Sequence, residues 1–375
     1  MHVQRLLTRA ARLASHAVRL RLLTPVLFIV VVTVVFVVVV FVPSSPRHES
    51  SRDSSDARSR HVFHVHKGLF PVNLVPAARL RETGDPDQVD RVDRMDRDNS
   101  SFQTSSDGRY YLTVIPRGRL GNQMFQFASL LGIADANDRL PFVSSSSTVP
   151  HYFANISVSD RPVSGWRTVA EASYAEKDPL FDALPRRNVR LKGFFQTWKY
   201  FAGVSDVVKR SFVFLPDVQQ AVDKFYANST RNVTEGAVKI GVHVRRTDML
   251  HKVTARQGYV PAPLSYLLKA FRHMRDRFGD RSTFFVVTDD RDWCTENLGG
   301  KGVRVVDPAP SVIHLGFLAL CDHVIMTVGT FGWWGAYLSG GHVVYYDGFP
   351  RPGSEISQGF NRSDFYLPRW VPIGD

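Results

Sequence analysis

The sequence predicts an α/β protein. It reads as two α/β domains with parallel sheets and a cleft between them, behind an N-terminal transmembrane helix and a stalk. Three observations carry this. Residues 22–42 are an uncharged apolar run. Residues 43–107 lose apolar periodicity in favour of Ser, Arg, Asp and Pro. From Tyr110 onward, strand-like and helix-like segments alternate, and strands separated by helical crossovers imply parallel sheets with helices on both faces.

Residues 1–21 carry five arginines and no acid. The run that follows, "LLTPVLFIVVVTVVFVVVVFV", is 21 residues long, which at about 1.5 Å per residue matches a hydrocarbon core of roughly 30 Å. A cleaved signal peptide is the rival reading, but its apolar core is usually about 7–15 residues and ends at a small-residue cleavage site. The longer run, followed by Pro43 and a Ser/Arg mixture, favours an uncleaved anchor. The flanking arginines put residues 1–21 in the cytoplasm, so the remainder faces a lumen or the exterior. Five N-x-[ST] sequons, at Asn99, Asn155, Asn228, Asn232 and Asn361, agree with that. The two cysteines, Cys294 and Cys321, could pair in an oxidising compartment or remain buried thiols.

Residues 43–107 read as a largely disordered lumenal stalk. "DRVDRMDRD" (90–98) is a charged, solvated repeat, and "HVFHVHK" (61–67) is read as polar stalk rather than a metal site. The formal net charge of the chain is +12. The first 21 residues contribute +5 and the stalk −1, leaving +8 on residues 108–375. A basic globular part suits an anionic ligand. No basic stripe with interleaved aromatics appears, which argues against nucleic acid.

The first α/β domain is assigned to 108–235. "YYLTVI" (110–115) is a strand by its β-branched and aromatic content, "PRGRLGNQ" a glycine turn, and "MFQFASLLGIADAND" (124–138) a helix. Strand, glycine loop, helix is the opening of a nucleotide-binding α/β unit. Further on, "VRLKGFFQ" is a candidate strand, with helices around 202–227.

The second domain is assigned to 236–375, with a tail that packs back. "KIGVHV" (239–244) is a strand. "PAPLSYLLKAFRHMRDRFG" (261–279) is a helix with a proline start and a glycine stop, its inner face marked by Leu264, Leu267, Leu268, Phe271, Met274 and Phe278. "TFFVVT", "VRVVD", "HVIMT" and "HVVYYD" are strands; "RDWCTENLGG", "VIHLGFLALCD" and "FGWWGAYLSGG" are the helices between them.

In open parallel sheets ligands bind beyond the carboxyl ends of strands. Arg245 and Arg246 occupy such an end, with His243 inside the strand and Asp248 just after it. Two guanidiniums can fork onto phosphate oxygens, with Asp248 orienting one of them or meeting a sugar hydroxyl. A structural ion pair capping the strand is the alternative. A second anion site lies at Gly329–Gly332, where strand, Gly-Thr loop and helix follow in order, so that backbone amides and Thr330 open a helix N-terminus. Trp333 and Trp334 stack on a ligand or fill the core. A third element, "GRLGNQ" (118–123), has neither dinucleotide-binding nor Walker glycine spacing, and sets Gly121, Asn122 and Gln123 at the other domain's strand end; a turn leading into a capped helix is the alternative. Two anion sites in one domain point to a pyrophosphate, and a nucleotide diphosphate sugar fits a lumenal, membrane-anchored protein.

Together "GRLGNQMFQFASLLGIA", "GVHVRRTDML", "FFVVTDDRDWCTENL", "VIMTVGTFGWWGAYLSGG" and the late "FYLPRW" resemble the α-1,2-fucosyltransferases of glycosyltransferase family 11. The resemblance covers about residues 108–372. It implies a GT-B-like fold of two Rossmann-type domains and GDP-β-L-fucose as donor. It implies inverting transfer to the 2-hydroxyl of a terminal β-galactose on glycoproteins or glycolipids, with no metal or other cofactor required. It also implies a type II Golgi membrane protein. By motif, Arg246 is implied as the main β-phosphate contact, with His243, Arg245 and Asp248 in the same donor element. Gly329, Thr330, Phe331 and Gly332 are implied to line the donor pocket, and Gly121 and Asn122 to reach it. Thr247 and Met249 depart from the Gly and Tyr typical of vertebrate members, as does "TDD" (288–290), where those members read Ser-Asn after the threonine. A protein or core-glycan fucosyltransferase sharing the HxRRxD element is an alternative, as is an inactive membrane-anchored glycan-binding protein. The catalytic base stays open among Asp248, Asp289 and His243, and a metal reading of Asp289–Asp290 stays open beside the metal-free one. Oligomeric state is unassigned.

Overall fold

The computed structural model describes residues 104–300 and 302–375. The expected cytoplasmic tail, membrane anchor, nearly all of the stalk with its histidine segment, and the Asn99 sequon lie outside the described residues. Within them, no helix is long and apolar enough to cross a membrane.

Two parallel sheets organise the chain. The first has the order β2-β1-β4-β3, built from β1 (Tyr111–Val114), β2 (Leu140–Pro141), β3 (Arg167–Ala170) and β4 (Val189–Lys192). Helix α1 (Leu120–Ala136) follows β1. It starts four residues earlier than the apolar periodicity suggests, because the Asn122 and Gln123 amides already donate to the Arg119 carbonyl. "GRLGNQ" is therefore largely the first helical turn. β2 and β3 were not foreseen; they are short and flank a stretch broken by Pro150, Pro162 and a serine run. "VRLKGFFQ" is a strand only to Lys192, since Phe195 takes a positive φ of 52°. Helices α2 (Ser205–Ser211) and α3 (Pro216–Ser229) complete this half.

The second sheet has the order β10-β9-β8-β5-β6-β7 and is parallel throughout. Its strands are β5 (Lys239–Val244), β6 (Thr283–Thr288), β7 (Val303–Val305), β8 (His323–Met326), β9 (Val343–Tyr346) and β10 (Val371–Ile373). The connecting helices are α4 (Lys252–Gln257), α5 (Leu264–Phe278), α6 (Arg291–Leu298), α7 (Ser311–Ala319), α8 (Thr330–Ser339) and the short α9 (Arg362–Phe365). The expected strand–helix alternation is present, and the tail adds β10 as an edge strand. From β5 the chain winds outward through β6 and β7, then returns to β8 on the other side. The strand order reverses between β5 and β8, and ligands bind at such a reversal.

Helix α5 departs in detail. Leu268, expected on its inner face, is 50% exposed, while Tyr266, Leu267, Ala270, Phe271 and Met274 are buried. The stripe is rotated by one position because the Tyr266 hydroxyl is drawn inward to donate to the Met326 carbonyl at 2.7 Å. Cys294 and Cys321 are both free and buried, so the pairing alternative is not realised.

One hydrophobic core joins both sheets. Leu112 of β1, Phe125 of α1, Trp333 and Trp334 of α8 and Val343 of β9 belong to the same buried cluster. Phe125 sits 4.5 Å from Trp333 and 5.1 Å from Trp334, ring centre to ring centre. The Trp334 indole donates to the Gly121 carbonyl at 3.0 Å, and that of Trp333 to the Phe365 carbonyl at 2.8 Å. Both tryptophans are thus core anchors rather than ligand platforms. Removing such a ring costs about 3–5 kcal/mol.

Candidate functional site

A cleft of about 640 Å³ opens at the carboxyl ends of both sheets. One wall is the start of α1, from Gly118 to Asn122. The other is the end of β5, the loops after β6 and β7, and Thr330 and Phe331 at the start of α8.

His243, the penultimate residue of β5, is buried but borders the cleft. Its ring packs against Phe331, and its Nδ1 finds no hydrogen-bond partner among the described residues. Burial, helped by the Arg245 charge, pulls its pKa down to about 4. At neutral pH it is an uncharged hydrogen-bonding group and a weak base. A β-carbon on Gly332 would fall 2.3 Å from His243 Nδ1. Gly332 does not border the cleft; it lets α8 settle on the histidine.

Arg245 faces the cleft and forks onto Asp248, with Nε at 3.0 Å and Nη2 at 2.6 Å from the two carboxylate oxygens. That fork holds Asp248 below the usual carboxylate range, so it stays ionised and is a poor base. The Arg245 amide donates to Thr327 Oγ1 across the β5–β8 seam at 3.1 Å. Gly329 has φ 95°, and a β-carbon there would lie 2.5 Å from Arg245 Nη1. Glycine is needed for the turn and for the guanidinium to pass.

Arg246 goes elsewhere. Consecutive side chains leaving an extended strand point to opposite sides. Its guanidinium lies 3.6 Å over the Trp293 ring, and its Nε donates to Asp290 at 3.2 Å. The side chain is 13% exposed and does not border the cleft. The residue expected as the main phosphate contact is therefore packed onto α6, and Arg245 is the guanidinium of the pair that borders the cleft.

Asp289 is occupied as well. It accepts from the Arg246 amide at 2.8 Å, the Thr247 amide at 3.2 Å and the Thr247 hydroxyl at 2.6 Å. Thr247 and Asp289, from the loops after β5 and β6, thus meet through a hydroxyl as well as an amide. Asp290 accepts from Arg246 and caps α6 through the Trp293 amide. Among the described residues no cluster of three metal-ligating side chains occurs.

The two helix starts touch across the cleft floor. A β-carbon on Gly121 would lie 2.8 Å from Thr330 Oγ1 and 2.9 Å from the Phe331 amide nitrogen. Asn122 Oδ1 accepts from Thr330 Oγ1 at 2.8 Å and from Gln196 Nε2 at 3.2 Å. Gln123, by contrast, is turned away to Ser147, Thr148 and the Gly118 carbonyl. The amides opening α8 and its dipole favour negative charge at this point.

Sequence reasoning missed the far end of the cleft. Arg291, Pro308, Ala309, Ser311 and His314 border it from α6, the β7–α7 loop and α7. Arg291 donates to the Val306 carbonyl and to Asp307, and His314 Nε2 lies 3.0 Å from the Asp307 carbonyl. "DPAPS" carried a signal, two prolines shaping a loop at a strand's carboxyl end. Arg119 borders the cleft too, within the quoted "GRLGNQ", but was given no role.

The remaining sequons are surface features. Asn155, Asn228 and Asn232 are exposed. Asn361 is half-buried and caps α9 through Oδ1 from the Ser363 amide.

Residues 99–374 match the profile of glycosyl transferase family 11. Galactoside alpha-(1,2)-fucosyltransferase 2 of Rattus norvegicus is 30% identical over 325 residues, covering 83% of this chain and 90% of that protein. Galactoside alpha-(1,2)-fucosyltransferase 1 of Homo sapiens is 30% identical over 280 residues, covering 70% of this chain and 74% of its own length. Among solved structures, the fucosyltransferase NodZ from Bradyrhizobium aligns with a TM-score of 0.42 at 15% identity, over 60% of this chain and 92% of that one.

Proposed function

The chain belongs to glycosyltransferase family 11, and from that premise we propose that it is a galactoside 2-α-L-fucosyltransferase. It moves L-fucose from GDP-β-L-fucose to the 2-hydroxyl of a terminal β-galactoside, with inversion. The two sheets flanking the cleft form a GT-B-like arrangement. The supporting observation is the Arg245–Asp248 fork opposite the glycine-opened start of α8, within the HxRRxD context of the family.

The chemistry follows from where charge develops. As the anomeric carbon parts from GDP, the pyrophosphate gains negative charge. Arg245 and the start of α8 at Thr330 and Phe331 border the same cleft and supply positive charge and helix-start amides for it, and preorganised charge is worth most in a shielded cleft. Asp289 and Asp290 are engaged with Arg246 and Thr247, which supports a reaction without a metal ion. Asp248 is held ionised by Arg245, Asp289 accepts three hydrogen bonds from Arg246 and Thr247, and His243 is neutral with a low pKa. Neither Asp248 nor His243 is a strong base, which suits an oxocarbenium-like transition state in which the acceptor loses its proton late. The apolar run 22–42 and its arginine flank support placement as a type II Golgi membrane protein with the cleft in the lumen.

The test is incubation of the protein with GDP-fucose, a panel of β-galactosides and EDTA, followed by a linkage-specific fucosidase. Fucose released from the 2-position of galactose is expected, with EDTA without effect. Transfer only to peptide or to core N-acetylglucosamine would overturn the reading.

A further inference from the structure

The loop Gly193–Gln196, after β4, is clamped far more heavily than a strand-to-helix connection needs. The Gly193 carbonyl accepts from buried Gln126 at 2.6 Å. The Phe194 and Phe195 amides both donate to the Glu171 carboxylate, the second at 2.8 Å. The Phe195 carbonyl accepts from Ser129 Oγ at 3.0 Å. Phe195 itself, at φ 52°, is fully buried edge-on against Phe181 and Tyr200. A non-glycine residue in that conformation persists where its surroundings over-determine it, and such places concentrate at ligand sites. Glu171 tells the same story. Burial outweighs its two amide donors and raises its pKa to about 7, so a carboxyl group is kept where desolvation disfavours its charged form.

What the clamp presents is the pair flanking Phe195. Gln196 reaches the cleft wall through Asn122, and its Oε1 has no hydrogen-bond partner among the described residues. Phe194 is half-buried, joins none of the three hydrophobic clusters and stacks on no other ring among the described residues. β1 and β4 are paired, so the Gly193–Gln196 loop leaves the sheet one strand spacing, about 4.8 Å, from segment 115–119, whose Gly118 and Arg119 border the cleft before α1 begins.

We infer that Phe194 and Gln196 form the seat of the acceptor galactose, a specificity-determining surface on the first domain. The inference rests on the transferase reading above. Galactose carries an axial 4-hydroxyl, which leaves the hydrogens of C3, C4 and C5 together on one face. A flat aromatic ring covers that face. Gln196 Oε1 accepts from a sugar hydroxyl, while its amide stays on Asn122. The sugar is thereby tied to the same asparagine that meets Thr330 on the donor wall.

The experiment measures two rates for the full chain: GDP-fucose hydrolysis without acceptor, and transfer to a simple β-galactoside. Phe194→Ala is expected to raise the acceptor KM about tenfold, leaving donor KM and hydrolysis within about twofold. Phe194→Tyr is expected to behave as wild type. Phe194→Leu keeps an apolar side chain but not the flat face; it serves if the alanine variant fails to fold, with the same rise expected. An acceptor KM unchanged in the alanine or leucine variant overturns the inference alone, as does an equal rise in donor KM. A wild-type chain that hydrolyses GDP-fucose yet fucosylates no β-galactoside overturns the transferase reading and this inference with it.

Discussion

Replacing each of the two adjacent arginines separately asks which one faces the leaving group. Arg245 lies in the cleft with its guanidinium forked onto Asp248. A phosphate oxygen about 4 Å from that charge, at an effective dielectric near 20, gains about 4 kcal/mol. That corresponds to roughly three orders of magnitude in rate. Arg245→Ala should therefore lower kcat about a thousandfold. Arg245→Lys should recover only part of it, since an ammonium cannot fork onto phosphate as a guanidinium does. Arg246→Ala removes a stack on Trp293 and a bond to Asp290. That costs about 1–2 kcal/mol of stability, with kcat lowered by about tenfold or less through loosening of the 245–248 turn. The assay pairs steady-state transfer to a β-galactoside with urea denaturation of each variant. A kcat for Arg245→Ala within tenfold of wild type would refute a leaving-group role for Arg245. Loss of turnover in Arg246→Ala with stability unchanged would refute it equally.

Gly329→Ala should lower kcat/KM about a hundredfold, because the added carbon meets Arg245 Nη1 at 2.5 Å and φ is 95°; activity within threefold would contradict the close-approach argument. Glu171 makes the protein's stability depend on pH with a definite sign. Its folded pKa of about 7 lies above the ordinary 4.5, so its contribution is complete below about 4.5 and is lost as pH rises through about 7. Wild type should thus lose about 3 kcal/mol relative to Glu171→Gln between pH 4.5 and 8, read from denaturant midpoints; parallel pH curves would refute it. Trp334→Ala should cost about 3–5 kcal/mol and still unfold in one transition, monitored by far-ultraviolet dichroism and intrinsic fluorescence together.

The second sheet was readable because buried parallel strands are continuous apolar runs and their helices carry clear starts and stops. "KIGVHV" and "TFFVVT" have the structure's own boundaries, 239–244 and 283–288. The first sheet was less legible. β2 has only two residues, and β3 is an edge strand with a single buried position, so neither carries a periodic signal. At the site, motif placed Arg245, Arg246, Asp248 and the Gly329–Phe331 turn together, but it could not say which guanidinium faces inward. That is decided by strand alternation and by Trp293, a partner 47 positions further on. The roles of Gly121 and Gly332 were hidden likewise. Each is a spacing requirement set by a residue distant in sequence, Thr330 for one and His243 for the other.

The aromatic seam of Phe125, Trp333 and Trp334 bears on how this protein could be re-engineered. If the proposed donor and acceptor sites sit on different sheets, as inferred above, exchange of one half for that of a relative is an obvious route. Yet the rings of α1 and α8 interlock in one core, and the Trp334 indole is bonded to the backbone of Gly121. A cut near residue 236 would therefore pass between two halves of the same interior. A graft of the donor half would succeed only if α1 travelled with it, so the unit of inheritance is the helix pair rather than the sheet.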